Sequence, residues 1–130
     1  MTNHLFSNVV KNDPLSFFSN HGLKSPREVA QFLDLNEKDV SKMAGVAKAS
    51  IRWDDRIPRI VLQRMEEIAN VCSLVAIYFD GDPARTALWF HAPNPMLGNI
   101  TPRDMLRFGR YAKLVEFVTE ALQANEASVG

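Results

Sequence analysis

The sequence predicts an all-α fold, a helix-turn-helix followed by a small helical domain, and three observations predict it. Four capping residues, Ser25, Asn36, Asp82 and Thr101, stand where apolar periods begin, and three of them are followed directly by proline. Apolar residues between 60 and 79 recur at three- and four-residue steps, the period of a helix rather than a strand. The 130 residues are 46% hydrophobic and 23% charged, ordinary for a globular chain, which argues against disorder or a collagenous fibre. No apolar run approaches the roughly 18 residues that a membrane span needs.

A chain of this size buries roughly two thirds of its unfolded surface and folds without staples. The pattern divides it into an N-terminal arm or short helix over 1–24, a helix-turn-helix region with a long connecting helix over 25–79, and a second helical domain over 80–130. In the arm, Phe6, Val9, Val10, Leu15, Phe17 and Phe18 are interrupted by Pro14 and Gly22, so a short helical piece packing its phenylalanines on the body is expected.

Ser25-Pro26-Arg27-Glu28 opens the first regular helix: serine caps, proline takes the first turn and the acid sits three after the cap. Val29, Phe32 and Leu33 form its inner face. Asn36 with Asp39 opens the next, with Val40, Met43 and Ala44 inward and Gly45 placed to stop it in a positive-φ conformation. A third short helix is expected at about Ala47 to Trp53. Two short helices joined through a glycine turn make a helix-turn-helix, its skeleton Val40, Met43, Val46 and Ile51, with small Ser41 where the helices approach.

The second of those helices exposes Lys48, Ala49, Ser50 and Arg52, and Lys42 lies just before the turn. Small residues, a hydroxyl and cations are what a recognition helix uses on phosphates and base edges, which makes these five the candidate DNA contacts. The competing reading is a three-helix corner with solvated charges, and Asp54 and Asp55 place negative charge beside it. Net charge is zero, yet residues 24–64 hold nine Lys/Arg against six Asp/Glu and residues 65–130 hold five against eight, an asymmetry that suits one half facing an anion and the other facing something else.

Pro58 opens a helix to about Phe79, the expected core spine. Asp82-Pro83 starts another through Phe90. His91 to Ile100 is a loop with two prolines and a glycine, Thr101-Pro102-Arg103-Asp104 starts a helix ending at Phe108-Gly109, and a last one runs from about Arg110 to Gln123 with Leu114, Val115, Val118 and Leu122 inward. Residues 124–130 read as a frayed tail.

Enzyme signatures are missing. The glycines are isolated, so there is no phosphate loop, and neither a Gly-x-Ser-x-Gly elbow nor a His-Glu-x-x-His occurs. Adjacent Glu66 and Glu67 point to different sides of a helix and cannot act as a pair. Cys72, the single cysteine, lies on the apolar stripe and reads as a small buried hydrophobe. It makes no internal disulfide, and three histidines with one cysteine at 4, 21, 72 and 91 lack zinc-ligand spacing, so neither metal nor cofactor is expected. With Met1-Thr2-Asn3-His4 lacking a secretory layout, a cytoplasmic location is expected.

The C-terminal pattern Trp89-Phe90-x-x-Pro93-Asn94-Pro95-Met96-Leu97-Gly98-x-x-Thr101-Pro102-x-Asp104-Met105-Leu106-x-x-Gly109-x-x-x-x-Leu114-Val115 resembles the Xre/MbcA/ParS toxin-binding domain. The family's usual N-terminal part is an Xre-like helix-turn-helix, which fits residues 25–55. The resemblance implies an antitoxin that neutralises a cognate RES-domain toxin acting on NAD, and that represses its own operon together with the toxin by binding operator DNA. Asn99 stands where the family often has a second glycine, and Phe108 where a small residue is common.

On this reading the toxin-binding residues are Trp89, Pro93, Asn94, Pro95, Leu97, Gly98, Asn99, Arg107, Gly109 and Arg110. Pro93 and Pro95 stiffen the loop, and Leu97-Gly98 offers an apolar tip with close backbone access; a preorganised loop loses little entropy on docking. The wedge runs from Pro93 to Ile100. Arg107 and Arg110, flanking Gly109, would meet toxin carboxylates or the anion site meant for the NAD pyrophosphate. A homodimer is expected, because one helix-turn-helix on one half-site binds weakly, with helix 58–79 and the N-terminal phenylalanines as its surface. The alternatives are a stand-alone helix-turn-helix regulator whose C-terminal half dimerises and, last, a small enzyme.

Overall fold

The computed structural model describes residues 13–129, and the side chains as far as Asn125. Among the described residues six α-helices follow a small hairpin: α1 Pro26–Phe32, α2 Glu37–Ala44, α3 Arg59–Tyr78, α4 Pro83–His91, α5 Pro102–Arg107 and α6 Tyr111–Val129. Short 3-10 turns lie at Lys48–Ser50 and Pro95–Leu97. No described helix is long and apolar enough to cross a membrane.

The capping chemistry works as its sequence implies. Ser25 Oγ accepts from the Glu28 N–H, Asp82 accepts from the Ala84 and Arg85 N–H groups, and Thr101 accepts from the Asp104 N–H. Asn36 and Asp39 exchange side-chain-to-backbone bonds in a complete capping box, and Gly45 ends α2 in the left-handed region at φ 69°. Each bond satisfies a helix-end N–H that has no partner within the helix.

Helix α3 is the spine. It packs against α1, α2, α4 and α6, and every residue from Val71 to Ala76 is buried. Only Arg59, Gln63 and Tyr78 along it are exposed. One hydrophobic cluster runs from Phe17 through Val29, Leu33, Val40 and α3 to Phe90, Leu106, Leu114 and Leu122. Cys72 is part of it, and burial pushes its thiol well above the usual range, which leaves it unreactive.

Three local expectations are corrected and one is narrowed. The arm, from Asp13 onward, is not helical: Asp13 carboxylate oxygens accept from the Phe17 and Phe18 N–H groups, and β1 Phe18–Ser19 pairs antiparallel with β2 Gly22–Leu23. The turn needs Gly22 at φ 107°, which a helix does not provide. Phe6, Val9 and Val10 lie outside the described residues.

The expected helix from Ala47 to Trp53 is a single 3-10 turn, with Ile51 already extended. Ala47 supplies no side-chain cap and residues 47–50 are all exposed, so no apolar face holds a longer helix in place. Helix α6 continues to Val129 rather than fraying after Gln123, because no glycine or proline interrupts residues 111–129. The surface expected for a dimer is narrowed: α3 exposes only Arg59, Gln63 and Tyr78, Phe17 packs edge-on against Phe32 at 5.6 Å, and Phe6 lies outside the described residues.

Candidate functional site

The loop between α4 and α5 is built around Asn94. Its Oδ1 accepts from the Met96 N–H at 2.9 Å. Its backbone N–H donates to the Ile100 carbonyl, and its own carbonyl accepts from the Leu97 and Asn99 N–H groups. One residue thus closes both ends of the loop through side chain and main chain. An asparagine before proline is suited to this, since its side chain can mimic a backbone turn while the proline fixes φ. Gly98 and Asn99 both take the left-handed region, at φ 75° and 65°. Asparagine is among the few non-glycine residues that tolerate it, which explains Asn99 at a position where glycine is common.

The loop's tip differs from the expected one. Met96 is 77% exposed, while Leu97 is half-buried and packs on the core. Pro93, Pro95, Gly98 and Asn99 are exposed. Trp89 is half-buried and meets Phe90 edge-on at 5.1 Å.

Met96 stands between two grooves. One, of about 620 Å³, is apolar and runs between the end of α3 and α6, lined among others by Val75, Tyr78, Phe79, Trp89, Phe117 and Leu122. The other, of about 330 Å³, is mixed, with Leu97, Ile100 and Met105 on one side and Arg110, Lys113, Glu116 and Glu120 around it. Met96 and Phe117 border both. An apolar ridge between two clefts is a shape that a partner protein can grip on both sides.

Arg110 and Gly109 are exposed after α5, and Gly109 makes the turn into α6 at φ 78°. Arg107 is engaged within the molecule. Its Nε donates to Asp39 Oδ1 at 2.9 Å and its NH1 to Asp104 Oδ1 at 2.8 Å. The buried Asp39 carboxylate and Asp104 thus engage two of its nitrogens while the side chain stays 35% exposed, so a direct contact to a partner would compete with these bonds. Burial works to raise the Asp39 carboxyl, but the Asn36 backbone N–H and the charges of Arg107 and Arg103 outweigh it and hold it below its ordinary value.

At the other end, Lys42, Lys48, Ala49 and Ser50 are exposed around the Gly45 turn, and Ser41 Oγ ties that turn by donating to the Val46 carbonyl. Arg52 donates to Asp54 at 3.0 Å. The Arg56 N–H and Arg52 lower the Asp54 carboxyl, so this pair stays charged.

Sequence reasoning missed Tyr78, Phe117 and the Asn94 network, and placed the tip of the wedge at Leu97 rather than Met96. Phe117 was identifiable only as an apolar residue off the core stripe. The network was signalled by Asn94-Pro95, where stiffness was credited to the prolines alone. Among the described residues no group of three or more His, Cys, Asp or Glu is placed to hold a metal.

No curated protein matches the chain. In the crystal structure of the M. tuberculosis MbcT-MbcA toxin-antitoxin complex, one chain superposes with a TM-score of 0.48 at 20% identity, over 72% of this chain and 86% of that one. The family model described as the antitoxin Xre/MbcA/ParS C-terminal toxin-binding domain matches residues 73–116, about a third of the chain. That segment contains the end of α3, all of α4 and α5, the start of α6, and the whole Asn94 loop. Residues 73–116 are therefore similar to the antitoxin Xre/MbcA/ParS C-terminal toxin-binding domain.

Proposed function

We propose that this chain is the antitoxin of a toxin–antitoxin pair, and that it neutralises a cognate RES-domain toxin acting on NAD by docking the loop from Pro93 to Ile100 against it. The observation that carries the reading is the loop itself, which lies within the matched segment: four hydrogen bonds at Asn94 preorganise it, and it raises Met96 between two clefts. Rigid presentation of an exposed apolar side chain reduces the entropy lost on docking. Trp89, Pro93, Asn94, Pro95, Leu97, Gly98, Asn99, Gly109 and Arg110 complete or support the surface, and Arg110 is the cation left to meet a toxin carboxylate or its pyrophosphate site.

The test is co-expression with the protein encoded by the neighbouring reading frame, which this reading expects to carry a RES domain, scored by growth and by co-purification. Growth rescue that Met96→Asp and Arg110→Glu abolish supports the reading. Full rescue by both folded variants removes the loop from the interface.

We infer a second role in operator binding by the complex, as a homodimer. Exposed Lys42 and Lys48 flank the turn and have no ion-pair partner among the described residues, which favours phosphate contact. A gel shift on the upstream region of its own operon, with and without toxin, tests the first part, and light scattering tests the second. A monomer in both conditions removes the dimer, and no shift at low salt removes the DNA role.

A further inference from the structure

The matched domain begins at residue 73, yet the side chain that anchors helix α5 within it lies far upstream. Asp39, on α2, is 6% exposed. It receives Arg107 Nε at 2.9 Å and lies 3.7 Å from Arg103 NH2. Arg103 also donates through Nε to the Leu33 carbonyl and through NH2 to the Asp34 carbonyl, both at 2.6 Å. Asp34 is held at φ 54° at the end of α1, so α5 is fastened at once to the C-terminal end of α1 and the N-terminal turn of α2. Asp104 closes the cluster on Arg107.

Helix α5 has only six residues and connects the two parts of the proposed interface. The Asn94 loop enters it at Thr101, and Gly109-Arg110 leave it. A helix this short is not stable alone, so its orientation is set by what it is fastened to. We propose that Asp39 is a positioning residue for toxin capture: acting through Arg107 and Arg103, it fixes α5 and thereby the relative placement of the Met96 ridge and Arg110. The proposal rests on the toxin-binding reading above. It makes the N-terminal half part of the recognition apparatus, although it does not itself reach the partner.

The test uses the full chain, with Asp39→Asn, Arg107→Met and the double variant. Asparagine keeps an oxygen for the Asn36 N–H but turns an amide donor toward Arg107. Methionine keeps the stem of Arg107 and removes its charge. In the free protein, amide exchange over residues 99–110 should accelerate in each variant while α3 keeps its protection. Binding to the protein encoded by the neighbouring reading frame should weaken by about tenfold in each single variant and by about the same in the double, because coupled residues are not additive.

Additive losses, near a hundredfold in the double, would mean that Arg107 touches the toxin directly and would overturn the proposal. So would unchanged exchange, or unchanged affinity in variants that merely melt earlier. A wild-type chain that fails to bind sinks the toxin reading itself, whereas a wild type that binds, with variants equal to it, sinks only the positioning role.

Discussion

Arg107 Nε donates to Asp39 Oδ1 at 2.9 Å, joining residues 68 positions apart across the two halves of the chain. The acceptor also completes the capping box of α2, so one buried carboxylate serves a helix start and an interhelical anchor. Asp39→Ala removes both, leaving Arg107 paired with Asp104 alone and Arg103 with the Leu33 and Asp34 carbonyls and Asp104. Hydrogen bonds to charged groups contribute about 1.5–3 kcal/mol, and a loss in that range is expected from urea unfolding. A change below 0.5 kcal/mol, the scale of an ordinary surface substitution, would show that the cluster is incidental.

The same carboxylate gives a pH signature. Its folded pKa lies below the ordinary 3.8, so the charged form is favoured in the fold. That stability is fully present above about pH 4 and is lost as pH falls below it through the folded pKa. The gap in stability between wild type and Asp39→Asn should therefore be widest near neutrality and close on acidification. Asp54 is lowered too, so Asp39→Asn should flatten the acid limb only in part. Parallel acid limbs in the two proteins would contradict the assignment.

Met96 and Leu97 separate recognition from folding. Met96→Asp alters a side chain that is 77% exposed, so its melting temperature should match wild type while toxin affinity falls at least tenfold. Leu97→Asp puts a charge against the core and should lower the melting temperature as well. Circular-dichroism melts with binding titrations check both, and a Met96→Asp chain that binds normally would exclude the ridge.

How much of this the sequence showed depends on range. Caps and stops are local chemistry, so Ser25, Asn36, Asp82, Thr101 and Gly45 were readable directly. The inner face of α3 was readable because its period is long. The turn at Lys48–Ser50 was misread as a helix because short segments depend on the burial around them, which is tertiary. The Arg107 ion pair went unread for the same reason: its carboxylate partner lies 68 positions away, and no local spacing records that. The hairpin around Gly22 rests on Asp13 accepting from Phe17 and Phe18, a side-chain bond that periodicity does not register.

Gly98 and Asn99 make contrasting predictions. A Cβ on Gly98 meets nothing within 4 Å, so the cost of Gly98→Ala is the left-handed backbone alone, about 1 kcal/mol. Toxin affinity should fall about fivefold as the loop's population shifts. Asn99→Gly relaxes the neighbouring position and should bind within about twofold of wild type, since glycine takes φ above zero freely. Calorimetric titration of both variants distinguishes them, and equal losses would mean that Asn99 contacts the partner through its amide.

The last prediction concerns salt. Each phosphate contact contributes a slope of about −0.9 to the dependence of log affinity on log salt. The sequence offers Lys42, Lys48 and Arg52, but Arg52 is engaged with Asp54 at 3.0 Å. A homodimer in the toxin complex therefore has two free cations per copy, and its slope on operator DNA should be about −4 rather than about −5. Asp54→Ala should release Arg52, steepen the slope toward −5 and raise affinity at low salt. Lys48→Ala should flatten it and weaken binding to every duplex, whereas Ser50→Ala should blunt only the preference for operator over random DNA. Fluorescence anisotropy across a salt series measures all four. A slope indifferent to both Lys48→Ala and Asp54→Ala would place DNA contact elsewhere on the complex and leave the Lys48 turn with a structural role.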